Sequence, residues 1–84
     1  MTVKELKTNY GYSKRLLDNN KVCVVINMAL SKEDALKLSN DFFHMNKNDL
    51  IICKGYATKT GNKAYLKKKL TVIGEKPVWI IYRA

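Results

Sequence analysis

The stretch from Lys21 to Met28 constrains the fold of this chain more than any other feature. It contains five consecutive apolar residues, Val22 to Ile26, most of them β-branched. A strand with one face in water alternates apolar and polar residues, and this run does not alternate. It therefore predicts a central strand that is covered on both faces.

The segment after this strand predicts a helix that covers one of those faces. Between about Lys32 and Met45, apolar residues recur at helical spacing and fall on one side of a helical wheel. Ser31 is well placed to cap the free N–H groups of the first turn. We expect an amphipathic helix that lies on the sheet, and its apolar side consists of Ala35, Leu36, Leu38, Phe42, Phe43 and Met45.

The N-terminal residues indicate further helix. Apolar spacing over residues 3–9 predicts one helical piece, and Gly11 interrupts the pattern. Residues 13–18 predict either a second short helix, with Ser13 as its N-cap, or the second half of one broken helix. A turn at residues 18–20 then leads into the central strand.

The second half of the chain predicts short strands and turns. Residues 64–73 fit either a strand or a short helix that runs into a strand. The other predicted elements are a turn at 46–49, a buried strand at 50–53, a polar loop at 55–62, a hairpin connection at 74–77 and a strand at 78–82. The sequence therefore predicts one α+β domain over residues 1–84. In it, an N-terminal helical segment and one amphipathic helix pack on a four-stranded, mostly antiparallel sheet.

Positive charge is the strongest feature of the composition. The chain has 16 Lys and Arg against 7 Asp and Glu, a net charge of +9. Residues 47–84 carry +7 of this excess, because they hold nine basic and two acidic residues. Such an uneven field favours a polyanionic partner, although excess charge also serves solubility in small domains.

The basic residues concentrate between positions 54 and 69, where no acidic residue occurs. Lysines neutralise phosphates, and tyrosines can stack on unpaired bases. The predicted nucleic-acid contacts in this segment are Lys54, Tyr56, Lys59, Lys63, Tyr65, Lys67, Lys68 and Lys69. A solvated lysine face that protects a sheet edge would give the same pattern. Because lysine lacks the planar fork of arginine, we expect contacts to the phosphate backbone with weak sequence preference.

Three short motifs resemble an S4-type RNA-binding domain. They are Tyr-Gly-Tyr-Ser-Lys-Arg-Leu-Leu at 10–17, Val-Val-Ile-Asn at 24–27 and Asn-Asp-Leu-Ile-Ile at 48–52. In that family, a Gly-x-Ser-basic-Arg step joins two short helices, and strands follow. The resemblance spans residues 2–53 and implies that Lys14 and Arg15 contact the phosphates of structured RNA. The chain departs from the family in the long helix between its second and third motifs and in Asn48, where the family has glycine.

No motif indicates an enzyme, a cofactor or a metal site. His44 is the only histidine, and no glycine-rich phosphate loop is present. Cys23 and Cys53 lie within apolar runs, which favours reduced, buried thiols and a cytoplasmic protein. No apolar run is long enough to cross a membrane, and no small-molecule substrate is evident.

The leading hypothesis is a small, non-enzymatic RNA- or DNA-binding domain that acts through phosphate contacts. The second is a protein-interaction module or small inhibitor, of the phage or mobile-element type, that docks on an acidic protein surface. The third is a small ribonuclease toxin in which Tyr82, Arg83 and lysines act on RNA. The sequence does not separate RNA from DNA.

Overall fold

The computed structural model describes residues 2–44, 47–68 and 72–84. Its elements in chain order are α1 (Val3–Asn9), β1 (Ser13–Leu16), β2 (Val22–Asn27), α2 (Lys32–Phe43), a 3-10 turn (Lys47–Asp49), β3 (Leu50–Ala57) and β4 (Lys76–Arg83). The strands form one antiparallel sheet in the order β1-β2-β4-β3. The last strand in the chain, β4, therefore lies inside the sheet, between β2 and β3. The predicted α+β class is confirmed.

The predicted amphipathic helix is confirmed as α2. Ser31 caps it, because its hydroxyl oxygen accepts a hydrogen bond from the backbone N–H of Asp34 at 3.1 Å. The helix ends at Phe43, since His44 adopts a left-handed conformation with a φ of 54°. Met45, the predicted last residue, lies outside the described residues.

The two helices cover one face of the sheet, which we call the helix side. The indole N–H of Trp79 in β4 donates to the carbonyl oxygen of Leu30 at 2.9 Å and fixes the start of α2 against the sheet. The core on this side consists of Leu6, Val24, Ile26, Leu30, Ala35, Leu38, Phe43, Leu50 and Ile81.

The opposite face is covered by residues 62–65, which we call the closing segment. At β1, Leu16 donates its N–H to the carbonyl oxygen of Asn62 (2.8 Å) and accepts a hydrogen bond from the N–H of Ala64 (2.9 Å). At β3, the segment exchanges two backbone hydrogen bonds with Tyr56, at 2.7 and 2.8 Å. Because β1 and β3 are the two edges of the sheet, the closing segment ties these edges together across this face, the closed side.

A second core fills the closed side. It consists of Leu17, Cys23, Val25, Ala57, Ala64 and Ile80. Residues 23–26 of β2 are all buried, and their side chains alternate between this core and the core on the helix side. The prediction of a central strand covered on both faces is confirmed.

The prediction of helix over residues 13–18 is wrong. Residues 13–16 form β1, whose partners run from Ser13 with Val25 to Leu16 with Val22. Ser13 is therefore a strand residue and caps no helix, and the second short helix implied by the S4 resemblance is absent at this position. Hydrogen bonds to β2 and to the closing segment satisfy the backbone here, so pairing outweighs the weak local preference for helix.

The boundaries of the later strands also differ from the prediction. β3 continues to Ala57, so residues 55–57 belong to a strand rather than to the predicted loop. They pair with residues 76–78, so part of the predicted hairpin connection is already β4. Residues 64–68 form neither of the predicted elements, apart from one bridge at Tyr65. Residues 69–71 of the same ambiguous stretch lie outside the described residues.

Candidate functional site

The predicted contact residues between positions 54 and 69 do not share one face of the protein. Lys54 pairs with Trp79 of β4 and therefore lies on the helix side of β3. Lys67 lies near the turn at 18–19, at one end of the closed side. Lys68 follows it and is exposed, whereas Lys69 lies outside the described residues.

The two predicted stacking residues are engaged in the closure of the sheet. Tyr56 and Tyr65 exchange the two backbone hydrogen bonds that join β3 to the closing segment. Both residues are half-buried. Their first role is thus structural, and the structure does not bring them together with the lysines into one binding surface.

Arg15, also a predicted phosphate contact, acts inside the protein instead. Its Nη1 donates to the carbonyl oxygen of Lys63 at 3.3 Å and its Nη2 to that of Lys59 at 3.2 Å. Its Nε donates to the hydroxyl oxygen of Ser13 at 3.3 Å. Only 5% of the residue is exposed. The prediction that Arg15 contacts phosphates is therefore wrong. Its guanidinium instead holds the backbone carbonyl groups of two exposed lysines, Lys59 and Lys63.

A different set of cations meets in an open groove of about 390 Å³, which we call the cationic groove. The described residues that line it are Lys14, Lys21, Val22, Phe42 and Arg83, and none of them is acidic. Lys14 is the one member that the sequence predicted as a phosphate contact.

The strand order explains why these residues meet. Lys14 of β1 pairs with Val24 of β2, so its side chain lies on the helix side. Tyr82 of β4 pairs with Cys23 on the other flank of β2, and Arg83 follows it. The side chains of Lys14 and Arg83 therefore approach the start of β2 from its two neighbours, and Lys21 directly precedes that strand.

Two of the three cations contact aromatic rings, on opposite faces of the sheet. The Nζ atom of Lys21 lies 5.2 Å from the ring centroid of Tyr82. The guanidinium carbon of Arg83 lies 5.8 Å from the ring centroid of Phe43. A cation over an aromatic face is attracted to it at such distances. The ring of Tyr82 packs against the core of the closed side, whereas Phe43 belongs to the core of the helix side. The ammonium of Lys21 is therefore held toward the closed side, and Arg83 is the cation that an aromatic ring positions on the side of the groove.

The floor of the cationic groove is apolar. Val22 is 38% exposed although it belongs to a central strand. The ring of Phe42 forms T-shaped contacts with Tyr12, with centroids 5.7 Å apart, and with Phe43, with centroids 4.9 Å apart. These contacts fix the orientation of the Phe42 ring. The groove thus combines positive side chains, one of them held by an aromatic ring, with a rigid apolar surface.

The carboxylate next to Phe42 in the chain belongs to Asp41, which is engaged elsewhere. Its Oδ2 lies 3.1 Å from the ammonium of Lys7 and accepts a hydrogen bond from the hydroxyl of Tyr12 at 3.2 Å. The contact with Lys7 holds the pKa of Asp41 below its ordinary value and raises that of Lys7. The negative charge of Asp41 is therefore balanced by α1 and not by the cations of the groove.

A second open groove, of about 480 Å³, lies at the edge of the closed side. Lys59 and Lys76 both line it, and Arg15 lies beneath. Lys59 belongs to the set predicted from the sequence, whereas Lys76 does not. Positive charge thus also occurs on the side of the protein away from the cationic groove.

Sequence reasoning missed Lys21 and Lys76 as site residues, and it named Arg83 only under the toxin hypothesis. Each of these cations lies at the end of a strand. Lys21 directly precedes β2, and Lys76 and Arg83 are the first and last residues of β4. A cation at each strand end was a visible signal. The strand order that brings Lys21 and Arg83 together was not visible in the sequence.

Metal-binding clusters, membrane-spanning helices and cysteine pairing can be assessed for residues 2–44, 47–68 and 72–84. No three His, Cys, Asp or Glu side chains there lie close enough together to hold a metal ion. Within the same residues, neither helix is long and apolar enough to cross a membrane. Both cysteines are free thiols, and burial raises the pKa of the Cys23 thiol to about 11.

Comparison of the chain with known protein families, with curated proteins and with solved structures found no match. The resemblance to an S4-type domain therefore stays a prediction. The phosphate contact that it implies for Lys14 stays a prediction as well.

Proposed function

We propose that this chain is a non-enzymatic nucleic-acid-binding domain that holds phosphates in the cationic groove. The observation that carries the proposal is the convergence of Lys14 and Arg83, from opposite ends of the chain, on one groove that Lys21 also lines. No acidic side chain is among the described residues that line this groove. Each phosphate that such cations neutralise releases counterions, which supplies the binding free energy.

The net charge of +9 supports the same proposal at longer range. Exposed lysines outside the groove, such as Lys59 and Lys63, extend the positive field around the protein and accelerate the approach of a polyanion. Since lysine outnumbers arginine in the chain, the contacts are mainly to the phosphate backbone. RNA and DNA both present this chemistry.

The test is a salt titration of binding to labelled oligonucleotides, followed by charge reversal in the groove. Affinity should fall linearly on a log–log plot against salt, with a slope of about −0.9 per phosphate contacted on duplex DNA. The double variant Lys14→Glu and Arg83→Glu should weaken binding on the order of tenfold or more, because it replaces two phosphate contacts by repulsion.

A charge-matched control is the double variant Lys4→Glu and Lys32→Glu. Both residues are exposed and lie in the first turns of α1 and α2, where a carboxylate favours the helix. The net charge changes equally in both double variants. Retained binding in the control supports the groove, whereas an equal loss in both would show that bulk charge alone attracts the oligonucleotide.

The competing hypothesis of an acidic protein partner gives a different result. A partner recovered with the tagged chain from a lysate should disappear after nuclease treatment if nucleic acid is the ligand. A protein partner should instead remain bound after nuclease treatment and fail to bind the Lys14→Glu and Arg83→Glu double variant. That result would show that the groove recognises a protein rather than nucleic acid.

A further inference from the structure

We infer that the cationic groove takes a single-stranded stretch of nucleic acid, with one unpaired base on its apolar floor. The inference rests on the proposed function and adds the form of the ligand. It is carried by the apolar surface between the cations, which phosphate binding alone does not explain.

The floor suits the face of an unpaired base. Val22 is 38% exposed, and Phe42 lies beside it in the groove with its ring fixed by Tyr12 and Phe43. A duplex buries the faces of its bases in the stack and offers phosphates and groove edges to a protein. It would leave this floor without an apolar partner. An unpaired base supplies that partner and stacks on aromatic side chains.

The arrangement of the charges fits the same ligand. Lys14 and Arg83 approach the floor from two sides, so phosphates on either side of one base meet a cation.

The experiment compares a single-stranded oligothymidine with a hairpin duplex of equal phosphate number, at one salt concentration. The single strand should bind more tightly, on the order of tenfold, which is the size that stacking of one base contributes. Phe42→Leu should reduce this preference and leave duplex affinity nearly unchanged, since leucine keeps apolar volume in α2 but removes the ring. Tyr10→Leu is the matched control, because Tyr10 is an exposed ring outside the cationic groove.

Circular dichroism should show that Phe42→Leu retains the fold. If it does not, Val22→Thr replaces it, since threonine keeps the shape of valine and makes the floor polar. This variant should likewise weaken binding to the single strand more than to the duplex.

Equal affinity for single strand and duplex, with both lost in Lys14→Glu and Arg83→Glu, would overturn the inference and leave the proposed function in place. An unchanged strand preference in a folded floor variant would overturn it too. Binding to neither oligonucleotide at low salt would overturn both proposals.

Discussion

The carbonyl oxygen of Tyr65 lies 2.7 Å from the position that a Cβ atom on Gly55 would occupy. The Cδ1 atom of Ile80 comes closer still to the same position. A side chain at residue 55 would therefore push the closing segment away from β3 or displace Ile80 from the core of the closed side. The absence of a side chain at Gly55 lets the two edges of the sheet be tied together.

The substitution Gly55→Ala should lower the free energy of unfolding by about 1–3 kcal/mol, the usual cost of overpacking a core. Urea unfolding, followed by far-UV circular dichroism, measures the change. Gly74→Asn is the control: nothing lies within 4 Å of a Cβ at that position, and asparagine tolerates its φ of 77°. Equal stability of Gly55→Ala and the native chain would contradict the close approach of Tyr65.

Arg15 should be important for stability rather than for binding. Arg15→Met removes the hydrogen bonds to the carbonyl oxygens of Lys59 and Lys63. We expect a loss of about 1–3 kcal/mol in unfolding free energy, the cost of leaving buried polar groups without partners. Amide hydrogen exchange should also accelerate between residues 59 and 63. The exposed neighbour provides the comparison, since Lys14→Met should leave both measurements nearly unchanged.

The cap of α2 should contribute measurably to stability. Ser31→Ala removes the acceptor for the backbone N–H of Asp34 and should cost about 1 kcal/mol. Ser31→Asp should retain most of the stability, because aspartate also caps a helix and its charge suits the N-terminus. Thermal unfolding of the two variants distinguishes them. A melting temperature of Ser31→Ala equal to that of the native chain would show that the Ser31 cap does not stabilise the helix.

Stability should fall at alkaline pH partly through Cys23. Burial raises the pKa of its thiol from 9.0 to about 11, so the unfolded chain loses this proton at a lower pH than the folded one. The contribution of the neutral thiol is complete below pH 9 and is lost as the pH rises toward 11. Comparison of urea unfolding at pH 8 and pH 10.5 in native protein and Cys23→Ala measures it. The variant should lose less stability over this interval, and an equal loss would contradict the prediction.

The lysines on the closed side should matter less for binding than the cationic groove. Lys59→Glu with Lys63→Glu changes the net charge as much as Lys14→Glu with Arg83→Glu does. We expect the closed-side variant to bind oligonucleotides more tightly than the groove variant, because its lost charges act only through the long-range field. Anisotropy titrations of both variants at one salt concentration decide this. A larger loss of affinity in the Lys59→Glu and Lys63→Glu variant would show that the binding site lies in the lysine-rich segment, residues 54–69.

The sequence predicts well those elements whose own side chains follow a clear hydrophobic pattern. The apolar run of β2 and the helical spacing of α2 each persist over enough residues to show a period. β1 has four residues and no such period, so its pairing with β2 decides its structure. Arginine is usually exposed, so the sequence does not predict that Arg15 is buried. Its burial is explained by the carbonyl oxygens of Lys59 and Lys63, which accept hydrogen bonds from its guanidinium.

The site was harder to predict than the fold for a related reason. Lys14 was predicted, but Lys21 and Arg83 are 62 residues apart in the chain and meet only because β4 lies beside β2. The closing segment leaves little sequence signal, since it joins β1 and β3 mainly by backbone hydrogen bonds and contributes a small residue, Ala64, to the core of the closed side. Density of lysine along the chain was therefore a poor guide to the density of charge in space.

The interior position of β4 has a consequence for biosynthesis. While the ribosome is still adding residues 76–83, the β1–β2 hairpin and β3 have no strand to join them. Until then, the nascent chain exposes the apolar residues of β2 and β3 along unpaired edges. The complete sheet can form only after β4 has left the exit tunnel, so this protein completes its folding after translation of that strand.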